Sequence, residues 1–307
     1  MNGIRISGCG IAVPDKIVTN EDFAARIDTS DAWITERTGI KQRHHGGTTS
    51  GLAIEAGRNA LKAAGRTADE ISHLILATTT PDGVIPASAP KVQHELGIKG
   101  GAFDINAACS GFVYGLVVAS GFIATGSGPI LLIGSETLSK FTDLDDRSIA
   151  IIVGDGAGAV VVEPVEGPGS LVSWNLNSDG SLRHLLYCDH GGTLFMDGKE
   201  VFRKAVRVVV ESAERAMADA GIGPDDVTLI VPHQANLRII QAACQRLGIP
   251  DERAVVVIDR YGNTSSASIP LALHDAISND RVHPGDNLLL TGFGGGMTWA
   301  SAIFRWA

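Results

Sequence analysis

Apolar and polar positions along this chain switch repeatedly between a short period and a helical one. Short apolar runs that read as strands fall at 74–78, 102–105, 130–134 and 150–162. Residues 87–96 between them carry helical spacing. The stretch 110–124 is apolar on nearly every side, with Phe112, Val113, Leu116, Val117, Val118, Phe122 and Ile123 and no charge; such a helix has to be buried. The order then repeats. A helical stretch at 201–220 leads to a strand at 227–231, a helix at 237–247, a strand at 254–258 and a helix at 266–277. Two closing strands follow at 287–292 and 299–305. This alternation predicts an α/β fold with a mainly parallel sheet covered by helices.

Each half ends in a glycine cluster running into an apolar strand. The first is Gly154-Asp-Gly-Ala-Gly-Ala-Val-Val-Val and the second Gly292-Phe-Gly-Gly-Gly-Met-Thr-Trp-Ala-Ser-Ala-Ile. An internal duplication is expected, with its seam in the Pro- and Gly-bearing stretch 164–169 and halves at 1–166 and 167–307.

Composition narrows the function classes. Apolar residues make up 44% and charged ones 19% of 307 residues, so the chain builds a core. A net charge of -9 argues against a general nucleic-acid binder, which needs a basic surface, but leaves room for a local basic patch. Cys9, Cys109, Cys188 and Cys244 are widely spaced with no C-x-x-C pair. A zinc site or disulfide framework is therefore not expected, and free thiols suit a reducing cytosol. No secretory leader or membrane span is expected either, which makes a cytoplasmic location the default.

Cys109 lies between the 102–105 strand and the buried helix, where unpaired N–H groups and the positive end of a helix dipole converge. That setting is expected to favour the nucleophilic thiolate, although a buried cysteine is also simply a small hydrophobe. His233, in Val-Pro-His-Gln-Ala-Asn, and Asn263, in Tyr-Gly-Asn-Thr-Ser-Ser, also stand where a strand end meets a helix start. Open α/β sheets place ligands there. Singly, the histidine reads as structural and the asparagine as a helix N-cap; the coincidence of all three favours a catalytic site. Gly-Asp-Gly-Ala-Gly-Ala (154–159) lacks the dinucleotide spacing and opens a strand, so tight backbone packing is expected there. His44 and His45 are expected to be a solvated loop pair, and no metal site is expected.

Ala-Ala-Cys109-Ser-Gly, Pro-His233-Gln-Ala-Asn-Leu-Arg-Ile-Ile, Gly-Asn263-Thr-Ser-Ser-Ala-Ser and Gly-Phe-Gly-Gly-Gly-Met-Thr-Trp together closely resemble the signatures of β-ketoacyl-acyl-carrier-protein synthase III. Asp28-Thr-Ser-Asp-Ala-Trp-Ile and Arg37-Thr-Gly-Ile add to the match, which runs through essentially the whole chain. The resemblance implies the thiolase fold, a five-layer αβαβα sandwich of two duplicated βαβαβαββ halves, usually as a homodimer. It implies that Cys109 takes the acyl group from an acyl-coenzyme A primer, and that malonyl-acyl-carrier protein then loses CO₂. His233 Nε2 and the Asn263 amide would hold the resulting enolate oxygen, and the backbone N–H groups of Cys109 and Gly295 the later oxyanion. Trp33 and Arg147 would sandwich the coenzyme A adenine, Arg37 would meet its phosphates and Asn236 would bond near the pantetheine. Arg203, Arg238 and Arg246 would receive the acidic carrier protein, while Ile85 and Phe293 would shape the primer pocket. No cofactor is implied, because the coenzyme A thioester is a substrate.

Some features depart from the family pattern. The 180–196 loop is shorter than usual, Ile85 is smaller than the frequent phenylalanine, and Lys199 replaces a common asparagine. Competing readings are a specialised condensing enzyme or acyltransferase priming a secondary-metabolite or vitamin pathway, and a catalytically silent carrier-protein partner.

Overall fold

A computed structural model describes residues 2–307. The first half runs β1 (Asn2–Ala12), β2 (Ile17–Thr19), α1 (Asn20–Ala24), α2 (Asp31–Thr38), β3 (Gln42–His44) and α3 (Thr49–Ala64). It continues with β4 (His73–Ala77), α4 (Ala89–Leu96), β5 (Gly101–Ile105), α5 (Gly111–Ala124), β6 (Ile130–Thr137), α6 (Arg147–Ala150) and β7 (Asp155–Glu166). The second half runs β8 (Leu171–Ser178), β9 (Leu186–Tyr187), β10 (Phe195–Met196), α7 (Gly198–Ala220), β11 (Leu229–Pro232) and α8 (Leu237–Leu247). It closes with α9 (Ile258–Tyr261), α10 (Ser268–Ser278), β12 (Asn287–Gly294) and β13 (Thr298–Arg305).

The duplication is written in the strand order. The first sheet is β1-β7-β6-β4-β5, with β6-β4-β5 parallel and β1 and β7 antiparallel to their neighbours. The second, read in the same sense, is β8-β13-β12-β11, with β11 and β12 parallel. The fifth position, expected as a strand at 254–258, is reduced to one parallel bridge between Ile230 and Ala254. From Ile258 the chain turns into α9 instead, so that expectation is corrected. The start of the expected 150–162 strand is corrected too, because Arg147–Ala150 is a helical turn and β7 opens at Asp155.

Helices α5 and α10 lie between the two sheets. Phe112, Leu116 and Ile123 of α5 and Ile269 and Leu273 of α10 share one core with Val160 of β7 and Leu290 of β12. The outer face of the first sheet is covered by α3 and α4 through Leu52, Ala56, Ala60 and Val92. Ala213, Ala216, Ile240 and Leu247 of α7 and α8 cover the second. These are the five layers, and each layer's periodicity explains its place. Helix α3 is apolar along one stripe and lies outside; α5 has no polar stripe and lies at the centre. The ends of the outer helices are set locally: Thr48 accepts from Gly51 N–H to start α3, and Asp197 accepts from Glu200 N–H to start α7.

The pair expected to be solvated is not. His45 is buried, its Nε2 3.1 Å from the Val153 carbonyl, and His44 Nδ1 lies 2.6 Å from the Pro14 carbonyl. The β3 strand carries His44, so the two rings are anchored by backbone acceptors that sequence spacing does not reveal.

Candidate active site

The turn from β5 into α5 puts Cys109 at its apex. Ala108 has φ 47°, a left-handed conformation that costs a non-glycine residue about 1–3 kcal/mol and persists only where the surroundings enforce it. Here they do. Ala108 N–H donates to Asn106 Oδ1 at 3.1 Å, and the Ala107 carbonyl accepts from Ser110 Oγ at 2.6 Å. The same carbonyl also accepts from Thr298 Oγ1 of β13 at 2.7 Å, so the second half clamps the nucleophile's turn. Gly294 closes against it from β12; a Cβ there would lie 2.4 Å from Cys109 N, which only glycine avoids.

Cys109, His233, Asn263 and Phe293 line one cavity of about 340 Å³, with Gly294 beside them. His233 follows β11 and is buried; its Nδ1 lies 2.7 Å from Ser268 Oγ at the start of α10. The Ser268 hydroxyl can donate to that nitrogen or to the Ser265 carbonyl at 2.8 Å. In the first case His233 Nε2 carries a hydrogen and can donate; in the second it is a base. Asn263 does not cap α10. Its Oδ1 accepts from Ser265 N–H at 2.9 Å in a local turn, which leaves the Nδ2 end for a ligand.

The charge state of the pair differs from the expectation. Burial pushes the Cys109 thiol up to about 12, opposed in part by the Ser265 hydroxyl, with the Glu136 carboxylate adding to the rise. Burial pushes His233 down to about 3. Enclosure therefore favours the thiol and the neutral imidazole over their charged forms.

The mouth of the cavity is lined by Trp33, Arg37, Arg147 and Asn236. Arg147 stacks directly on Trp33, its guanidinium carbon 4.9 Å from the ring centroid, and donates to the Asp28 carbonyl at 2.7 Å. The adenine expected between them would need about 7 Å, two van der Waals separations, which this stacking does not leave. Asn236 is largely committed: Oδ1 caps α8 through Arg238 N–H at 2.9 Å, and Nδ2 donates to the Arg37 carbonyl at 3.1 Å.

Several expected residues stand elsewhere. Ile85 does not line this cavity. It is 89% exposed on the loop before α4, whose ends are anchored by Ser50 N–H donating to Asp82 Oδ1 at 3.1 Å and Ser88 N–H to Asp104 Oδ2 at 2.9 Å. Gly295 is next to the lining residue Gly294 and not itself part of the wall. Arg203, Arg238 and Arg246 are exposed on α7 and α8; Arg238 lines a groove between them with Phe202 and Gln245, and Arg203 pairs with Glu200 at 2.5 Å. The sequence reading also missed wall residues. Leu186 and Met196 of the β9–β10 hairpin, together with Phe202 and Ile239, supply much of the apolar lining. Their only sequence signal is apolarity, which core residues share. Among the described residues, no His/Cys/Asp/Glu cluster could hold a metal and no helix is long and apolar enough to cross a membrane.

A cysteine on a strained turn, facing a histidine and an asparagine from the duplicated half of a five-layer sandwich, defines a thiolase-fold condensing enzyme. The family models for 3-oxoacyl-[acyl-carrier-protein] synthase III match residues 103–180 and, for its C-terminal part, 217–306. A β-ketoacyl-[acyl-carrier-protein] synthase III of Erythrobacter litoralis is 48% identical over 98% of both chains, and one of a Roseiflexus species is 46% identical over 99% of both. The crystal structure of the Aquifex aeolicus 3-oxoacyl-[acyl-carrier-protein] synthase III superposes with a TM-score of 0.97 at 44% identity, covering 99% of this chain and 100% of that one. The chain belongs to the β-ketoacyl-acyl-carrier-protein synthase III family. It is a condensing acyltransferase of the kind that initiates fatty-acid synthesis.

Proposed function

We propose that Cys109, His233 and Asn263 carry a decarboxylating Claisen condensation between an acyl-coenzyme A primer and malonyl-acyl-carrier protein, with no cofactor. Cys109 Sγ attacks the thioester carbonyl and forms a new carbon–sulfur bond. The thiol proton passes by way of His233 Nε2 to the departing coenzyme A sulfur. The malonyl carboxylate then leaves as CO₂, and its bonding pair becomes an enolate whose oxygen is held by the Asn263 amide and His233 Nε2–H. The enolate carbon attacks the Cys109 thioester, the oxyanion rests on the backbone N–H groups of Cys109 and Gly295, and the released Cys109 sulfur takes up one proton. The amphoteric Ser268 hydroxyl behind Nδ1 suits both roles of the imidazole.

Trp33, Arg37, Arg147 and Asn236 would receive coenzyme A at the mouth, and the arginines of α7 and α8 would dock the acidic carrier protein against a chain of net charge -9. A cytoplasmic homodimer is the proposed working form. The single observation that carries the reading is the convergence of Cys109, His233 and Asn263 on one cavity. It is tested by intact-protein mass after incubation with a panel of acyl-coenzyme A thioesters. One acyl group should add to the wild type and none to Cys109→Ala, and the preferred donor identifies the primer. No adduct from any donor would refute the covalent mechanism.

A further inference from the structure

Glu136, at the end of β6, is fully buried, and among the described residues no cation hydrogen-bonds or pairs with it. A carboxylate removed from water persists only where other donors replace the solvent. Glu136 has them on two sides. Its Oε2 accepts from Thr78 Oγ1 at 3.2 Å, from Thr79 N–H and Oγ1 at 3.0 Å, and from Thr80 Oγ1 at 2.7 Å, all after β4. Its Oε1 accepts from Ser265 Oγ at 2.9 Å and Ser266 Oγ at 2.7 Å, which belong to the other half. Two residues earlier on the same face of β6, Gly134 lets this segment approach; a Cβ there would lie 2.3 Å from the Ser266 carbonyl.

Ser265 is the hub beyond that carboxylate. Its N–H fixes Asn263 Oδ1, its carbonyl accepts from Ser268, and Ser268 lies behind His233. It is held at φ 48°, a conformation that needs such anchoring. We propose that Glu136 is a positioning residue: by binding Ser265 and Ser266 across the junction of the halves, it holds the Asn263 amide and the Ser268–His233 pair in register with Cys109, and so controls condensation more than acyl loading. A glutamine in its place would keep one acceptor oxygen and turn an NH₂ toward one set of hydroxyls, which would have to switch from donating to accepting and give up their hold on the carboxylate; Ser266 Oγ has the Ala77 carbonyl at 2.8 Å to turn to.

The inference rests on the roles proposed above for Asn263 and His233, and the test separates the two. Cys109 acylation by acyl-coenzyme A and CO₂ release from malonyl-acyl-carrier protein by preloaded enzyme are measured separately in Glu136→Gln, Glu136→Asp, Ser266→Ala and Asn263→Ala. In Glu136→Gln and Ser266→Ala, CO₂ release should fall by about tenfold or more, with acylation within about 3-fold of wild type and the KM for malonyl-acyl-carrier protein little changed. Glu136→Asp, which keeps the acceptor charge, should recover part of the loss. Should Glu136→Gln fail to fold, the serine variant decides alone. Equal losses in both half-reactions, or undiminished CO₂ release, would overturn the positioning role while Asn263→Ala is impaired. Full CO₂ release by Asn263→Ala would instead refute the underlying reading of the site.

Discussion

Two opposed shifts define the site at the scale of single residues. The expectation of a thiolate at Cys109 weighed a helix terminus, worth up to about 2 kcal/mol in a partly buried setting and so at most about 1.5 pK units. Enclosing a thiol can raise its pKa by up to ~3–5 units, so burial wins. Cys109 titrates higher in the folded protein than its ordinary 9.0, so its contribution to stability is complete below pH 9 and is lost as pH rises toward about 12. His233 titrates lower than its ordinary 6.5, so its contribution is present above pH 6.5 and is lost as pH falls toward about 3. Alkylation by iodoacetamide, followed on the Cys109 peptide, should keep rising by about tenfold per pH unit through pH 9. A plateau below pH 8 would mean a stabilised thiolate in the free enzyme.

Elements were legible wherever periodicity matched burial. Helix α5 announced itself by lacking any charged position, and α8 was expected at its observed bounds, Leu237–Leu247. The stretch 254–258 failed because an apolar run of that length is as compatible with a buried loop as with a strand; Val255 and Val257 are buried without a ladder. Exposed arginines on neighbouring α7 and α8 give the carrier-protein proposal an element-level test. Arg238→Glu should raise the KM for malonyl-acyl-carrier protein by about tenfold and leave acylation by acyl-coenzyme A unchanged, since a rim charge acts on encounter. An unaltered KM would remove Arg238 from the docking surface.

For the whole molecule, the first sheet ends in β5 with an open edge, and an unpaired edge strand needs cover. Beside it the loop tied to Asp104 exposes Val84 by 76% and Ile85 by 89%. These adjoining exposed features are where the proposed homodimer would be covered. Sedimentation should give twice the 32.0 kDa chain mass, and Ile85→Asp should shift the equilibrium toward the single chain. A wild type that sediments as a single chain at micromolar concentration would contradict the proposal.

The sequence by itself carried the alternation of strands and helices, the internal repeat and the position of Cys109, His233 and Asn263 at strand-to-helix junctions, while the five-layer order came from the family resemblance. Hydrophobic period and strand-to-helix junctions are local properties, and the motifs keep chemistry-bearing residues together. Only the tertiary structure decided the opposed shifts of Cys109 and His233, the burial of His45, the apolar wall from Leu186, Met196 and Phe202, and the Glu136 bridge between the halves. Each depends on which groups far apart in the chain exclude water from one another, and desolvation has no signature in spacing.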